Sequence, residues 1–219
     1  MKCSLAVPCF LLLLASACTA AKEAAPAAPG VDADSPAEVG QTAAGVKVPP
    51  EMNRLYPRIG KWQATIRTLP SAASPQGGVD NGIMAIEKGP GGFSIVQNFR
   101  SRGISGHVIG QGYTWWDTQT SSYKSVWCDN VQGCTEFTTA VLGRSWTVEL
   151  DGTANGRKVH TTIRATMSPD RDCIHEEFAN AYDGGPPRTE TVSEYRRIIP
   201  GMPADKQPSC QKENDSSPR

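Results

Sequence analysis

Between Glu51 and Pro200 the chain alternates apolar and polar residues in ten short runs separated by turn-forming residues. The runs are 60–69, 81–88, 92–100, 106–116, 122–129, 134–142, 145–151, 158–167, 173–182 and 188–198. A period of two places successive side chains on opposite faces of an extended strand. Gly89-Pro90-Gly91-Gly92, Gln132-Gly133, Asp151-Gly152, Asn155-Gly156 and Asp183-Gly184-Gly185-Pro186-Pro187 stand where hairpins need them. No long helical pattern intervenes, which excludes the crossovers that a parallel sheet requires. Successive hairpin-linked strands close on themselves because closure removes exposed edges. The expected fold is therefore all-β, an up-and-down antiparallel barrel of about ten strands, with a β-sandwich as the alternative. A membrane-spanning barrel is disfavoured, since no strand carries a sustained lipid-facing apolar and aromatic girdle.

Parity within each run assigns the faces. Trp62, Ala64, Ile66 and Thr68 share one side, as do Phe93, Ile95 and Phe99. The same rule groups Ile109, Tyr113 and Trp115, then Tyr123 with Trp127, Phe137 with Val141, and Trp146 with Val148 and Leu150. Val159, Thr161, Ile163 and Met167 alternate against His160, Thr162 and Arg164. An apolar inner face and a hydroxylated or charged outer face suit a barrel in water.

The flanks have a different character. Met1-Lys2 precedes an uncharged apolar run, Leu5 to Ala15, too short to span a bilayer and expected to be an export signal over residues 1–17. Leu14-Ala15-Ser16-Ala17-Cys18 resembles the lipobox of bacterial lipoproteins, which implies lipidation of Cys18. Two acyl chains anchor stably where one is marginal. Residues 18–50 are rich in Ala and Pro without an aromatic, a composition expected to form a disordered tether. Residues 51–200 then form the barrel domain, and 201–219 a polar tail. Thr19 after the cysteine, in place of the Asp that retains lipoproteins in the inner membrane, favours the periplasmic side of the outer membrane. With 22 basic and 22 acidic residues the formal charge is zero, which argues against nucleic acid as a partner.

Gly60-Lys61-Trp62 is similar to the Gly-x-Trp signature of lipocalin-like, or calycin, barrels. The segment from Gly110 to Asn130 resembles the core of an uncharacterised bacterial family known as domain of unknown function 1579. Gly110, Gly112, Asp117, Thr120, Tyr123, Ser125, Trp127, Asp129 and Asn130 carry that likeness. It departs at Trp115 and Trp116, where the family usually has Gly-Tyr. The resemblance implies a lipocalin-like or fatty-acid-binding-protein-like barrel in an exported protein and brings no activity with it.

Of seven cysteines, Cys3 and Cys9 leave with the signal and Cys18 takes the lipid. Cys128 and Cys134 lie symmetrically about Val131, opposite each other across one hairpin, so a disulfide there is expected. Cys173–Cys210 would then pin the tail to the ninth strand. The spacing does not suit a zinc site, and neither a metal nor another cofactor is expected.

His175-Glu176-Glu177 is the one cluster with a catalytic look, since His175 and Glu177 share a face and could form an acid–base pair. No nucleophile or third ligand accompanies it, and the expected reading is an exposed charged strand face. On the last run, Arg188, Glu190, Glu194 and Arg196 are expected in solvent, opposite Thr189, Thr191, Ser193, Tyr195 and Arg197. Tyr195-Arg196-Arg197 is similar to the Arg and Tyr with which fatty-acid-binding barrels hold a carboxylate, in reversed order.

These features favour non-covalent binding of a small hydrophobic or amphipathic molecule inside the barrel, without enzymatic activity. Trp62, Tyr113, Trp115, Trp127, Tyr195 and Arg197 are the expected ligand-binding residues. Two alternatives are a filled barrel in a structural or interaction lipoprotein working through a surface around Trp116, and an enzyme using His175 and Glu177.

Overall fold

The computed structural model describes residues 47–71, 74–154 and 156–210. The export signal, Cys18 and nearly all of the tether lie outside the described residues, as do 211–219 of the tail. Ten antiparallel strands follow one another in chain order: β1 Gly60–Thr68, β2 Gly78–Lys88, β3 Ser94–Gly103, β4 Gly106–Asp117, β5 Ser122–Asp129, β6 Gly133–Leu142, β7 Ser145–Ala154, β8 Arg157–Met167, β9 Cys173–Tyr182 and β10 Arg188–Ile198. Each pairs with its sequence neighbours, and β1 pairs with β10 to close an up-and-down barrel. Closure is in register, with Trp62 opposite Arg197 and Ala64 opposite Tyr195. The expected barrel is thus the one observed, and the sandwich is excluded.

One expected turn is not a turn. Asp151 and Gly152 lie inside β7, where Gly152 pairs with Val159, and the hairpin falls after Ala154. The ladder to β8 runs through this glycine because the neighbouring positions pair fully on both sides.

Two 3-10 turns, Pro50–Arg54 and Tyr56–Arg58, precede β1. A proline stands in the first turn of each, where its fixed φ suits the start and its missing N–H costs nothing. They close one end of the barrel, burying Met52 and Leu55 completely. Tyr123 Oη donates to Glu51 O at 2.8 Å, and Tyr56 Oη donates to Gly92 O at 2.8 Å. Around this plug the core is tightly filled by Trp62, Ile86, Ile95, Trp146, Met167 and Ile174.

Both expected disulfides form, Cys128–Cys134 between the paired ends of β5 and β6, and Cys173–Cys210 from β9 to the tail. The tail is held further by Gln207, whose Nε2 donates to Ile199 O at 3.0 Å and to Met202 O at 2.7 Å.

Candidate functional site

The strand register fixes which side chains enter the barrel. On β4 the inner positions are Gly110, Gly112, Thr114 and Trp116, since Gly112 pairs with Gln97 and Trp127, and Thr114 with Ile95 and Ser125. The expected grouping of Ile109, Tyr113 and Trp115 therefore stands outside, with Ile109 at 53% and Tyr113 at 38% exposure. The physical reason is Trp127 on β5. A side-chain carbon on Gly110 would collide with Cζ2 of the Trp127 indole, and one on Gly112 with its Cε3. The inner wall of β4 is bare so that one indole can lie across two glycines. Trp116, which the alternative reading put at an external working surface, is inside and packs edge-on against Tyr123, with centroids 4.8 Å apart.

The remaining residues of the resembling segment hold this arrangement in place. Trp127 Nε1 donates to Asp129 Oδ2 at 2.8 Å, while Asp129 Oδ1 accepts from the backbone N–H of Val131 and Gln132. Asn130 ties β5 back to β4 by accepting from Ile109 N at 2.7 Å and donating to His107 O at 2.9 Å. Thr114, Ser125 and Thr139 form a buried hydroxyl chain across β4, β5 and β6, with both oxygen separations 3.0 Å. Asp117 accepts from Gln119 N and Thr120 Oγ1 and so shapes the β4–β5 turn. These residues build a wall and two turns.

Two of the expected site residues belong to the plugged end. Trp62 has no exposed surface, and its Nε1 donates to Arg58 O at 3.0 Å. Arg197 stands over the Trp62 ring and donates to Ile59 O, Pro57 O and Arg171 O at 2.8, 2.9 and 2.8 Å. With its fork committed to three carbonyls it is a latch on the plug, and the fatty-acid-type carboxylate clamp does not form at this position. Tyr195 does face the interior, and so does Trp127.

Away from the plug the filling is uneven: Asp80, Val148, Val159 and Ser193 are buried, while other inward side chains keep contact with water. Ile66, Phe99, Trp127, Phe137, Ile163 and Phe178 all face inward by register, yet each keeps water-accessible surface. In the plugged half, inward residues of the same kind, such as Ile86, Ile95 and Ile174, are at or near zero exposure. The contrast defines a cup with an aromatic and aliphatic wall, Phe99 and Trp127 being neighbours in it at 6.3 Å between centroids.

Polar groups stand at the base and rim of this cup. Glu176 faces inward between Ile174 and Phe178, and accepts from Tyr195 Oη at 3.0 Å. Burial pushes its carboxyl above the ordinary value, against the opposing pull of the Tyr195 hydroxyl and of Arg58. Burial likewise pushes the Tyr195 phenol well up, reinforced by Glu176. Arg58, in the second 3-10 turn, is 8% exposed, donates from Nη2 to Gln97 Oε1 at 3.2 Å and lies 4.3 Å from the Trp146 ring centre. Nearer the rim, Glu190 is buried and accepts from Asn180 Nδ2 at 2.7 Å and Tyr182 Oη at 3.1 Å. Its expected solvent position is corrected by an irregularity between Thr189 and Thr191 in the pairing with β9, which turns Glu190 inward.

Glu176 and Arg58 were not among the sequence-derived site residues. The alternation Ile174, Glu176, Phe178 contains the signal for Glu176, a carboxylate on an otherwise apolar face. Arg58 precedes the first alternating run, so no parity argument reaches it.

The pair His175 and Glu177 lies on the outer face, Nε2 to Oε1 3.1 Å, with each side chain close to half exposed. His160 meets Asp151 at 2.9 Å in a separate outer pair. Among the described residues no group of three or more His, Cys, Asp and Glu is placed to hold a metal ion.

No family model and no curated protein sequence matches the chain. Among solved structures it is similar to Rv2717c from M. tuberculosis, with 13% identity and a TM-score of 0.50, over 70% of this chain and 100% of that one. It is also similar to the S-type phycobiliprotein lyase CPES from Guillardia theta, with 13% identity and a TM-score of 0.44, over 68% of this chain and 91% of that one. The chain is a ten-stranded, up-and-down antiparallel barrel, plugged at one end by its 3-10 turns.

Proposed function

We propose that this chain is an exported, lipid-anchored barrel that binds a small hydrophobic or amphipathic molecule non-covalently in its cup. The observation that carries the reading is the water-accessible surface left on inward-facing Phe99, Trp127, Phe137, Ile163 and Phe178. Apolar surface held open to water gains roughly 25 cal/mol for each Å² that a ligand covers. Trp127 lies against glycines and leaves room a protruding indole would take. Glu176 and Tyr195 offer one hydrogen-bonding pair to a polar end of the ligand. Of the six residues expected from sequence, the reading keeps Trp127 and Tyr195; Phe99, Phe137, Ile163, Phe178 and Glu176 complete the site. Enzymatic activity is not part of it: His175 and Glu177 lie on the outer wall, away from the cup.

Export and anchoring rest on the lipobox-like Leu14-Ala15-Ser16-Ala17-Cys18. Placement on the periplasmic side of the outer membrane rests on Thr19, and membership of the uncharacterised family on Gly110 to Asn130. Native mass spectrometry of the chain extracted from its own envelope tests binding and anchoring together. The reading expects the mass of a diacylglyceryl-modified Cys18 and a discrete further mass that leaves on denaturation. An unmodified polypeptide without bound mass would contradict both parts.

A further inference from the structure

A cavity lies at the plugged end, between the 3-10 turns, inward-facing Val141, Trp146 and Met167, and the loops that follow β6 and β8. Its volume is about 230 Å³, and Arg54, Arg58, Arg144 and Arg171 all line it. No Asp or Glu is among its lining residues. Leu55, Val141, Trp146 and Met167 supply apolar wall beside the guanidinium groups. Such a gathering of one sign is costly unless something of opposite charge offsets it.

Arg58 makes this more than a basic patch. It is 8% exposed, and its buried Nε has no hydrogen-bond partner among the described residues. An unsatisfied buried donor on a charged group costs more than an ordinary lost hydrogen bond. Burial lowers the Arg58 guanidinium to about 10, with Glu176 and Tyr195 opposing the shift, so the group stays charged at neutral pH. The other three arginines are exposed at the rim, and Arg144 is oriented by donating from Nε to Met167 O at 3.1 Å. Trp146 forms part of the wall and carries the Arg58 guanidinium over its ring.

We infer that this cavity is a binding site for a phosphate monoester carrying a compact apolar group. Four guanidinium groups with no carboxylate in the lining, Glu176 acting on Arg58 from beyond it, match a dianion better than a single carboxylate, and planar forks suit phosphate oxygens. At about 30 Å³ per water the volume equals roughly seven or eight waters, room for a phosphate with a small ring or a short glycerol ester. The cavity lies at the plugged end and shares Arg58 with the polar base of the cup, while Arg54, Arg144 and Arg171 belong to it and not to the cup.

Calorimetric titration of the full chain in non-ionic detergent tests this, with phenyl phosphate and dihexanoyl phosphatidic acid as probes and phenol as the uncharged control. Arg54→Gln and Arg144→Gln replace exposed side chains outside the barrel wall, and Arg58→Gln removes the buried donor. The expected result is one-to-one binding of a phosphate probe, weakened about tenfold by either rim substitution, as for loss of one charge-assisted contact. Saturation by phenyl phosphate identifies a soluble ligand, whereas saturation by the phosphatidic acid alone identifies a lipid headgroup. Failure of both probes to bind, or binding that both rim variants retain in full, would overturn the proposal.

Discussion

The indole of Trp127 occupies the space that a side chain on Gly110 would need. The contact inverts the apparent polarity of β4, whose aromatic residues Tyr113 and Trp115 stand outside while its glycines line the barrel. It also keeps the largest side chain of β5 against the wall.

Gly110→Val must displace Trp127 or bend β4. Overpacking of this kind costs about 1–3 kcal/mol. A lowered urea midpoint, with a changed near-ultraviolet circular dichroism signal, is the expected outcome. A midpoint equal to that of the parent chain would show that the indole is free to move aside.

Arg197 links β10 to the segment before β1 through Ile59 and Pro57, and to the β8–β9 loop through Arg171. Arg197→Met keeps most of the apolar contact with Trp62 and removes every one of those hydrogen bonds. The expected loss is about 2–4 kcal/mol, as for charged donors leaving buried acceptors unpaired. Limited proteolysis should then cut first within residues 47–59. Unchanged protection there would contradict the latch.

Glu176 gives the barrel a pH dependence of definite sign. Burial, the largest influence, holds its folded-state pKa above the ordinary 4.5, against the Tyr195 hydrogen bond and the Arg58 charge. Between 4.5 and the raised value the folded chain binds more protons at this site than the unfolded chain. The contribution to stability is therefore full below 4.5 and lost as pH rises through the folded pKa. Relative to Glu176→Gln, the parent chain should lose stability as pH rises from acid toward neutral. Urea unfolding of both proteins across that range checks it, and a difference that grows in the parent's favour would refute it.

The two disulfides should contribute unequally. Cys173–Cys210 spans 37 residues and Cys128–Cys134 only 6. Loop-closure entropy then predicts losses of about 4 kcal/mol for Cys173→Ser with Cys210→Ser, and about 2 kcal/mol for Cys128→Ser with Cys134→Ser. Equal midpoints for the two double variants would contradict the entropic account.

The barrel was readable because its strands announce themselves twice, by alternation within each run and by glycine, proline and asparagine between runs. Parity alone separated inside from outside on β1, β5, β6 and β8. It failed on β4, where alternation marked the wrong face because the inner positions are glycines shaped around a residue of the next strand. It failed again at Glu190, where a pairing irregularity reverses the sense of the strand. Arg58 was invisible for a different reason: it reaches the interior from a 3-10 turn, and no periodic pattern encodes what plugs a barrel. The expected site accordingly mixed cup residues, Trp127 and Tyr195, with a plug latch, Arg197, and an outer-wall aromatic, Tyr113.

The central claim is that the cup takes an apolar ligand. Titration with the neutral fluorophore N-phenyl-1-naphthylamine, for the parent chain and for Phe137→Arg, tests it most directly. Phe137 faces inward and pairs across to Ser125, so an arginine there puts a charge on the cup wall while leaving the plug intact. The account predicts saturable one-to-one binding by the parent chain, weakened at least about tenfold in the variant, at unchanged far-ultraviolet circular dichroism. Absence of saturable binding, or equal binding by the two proteins, would contradict it.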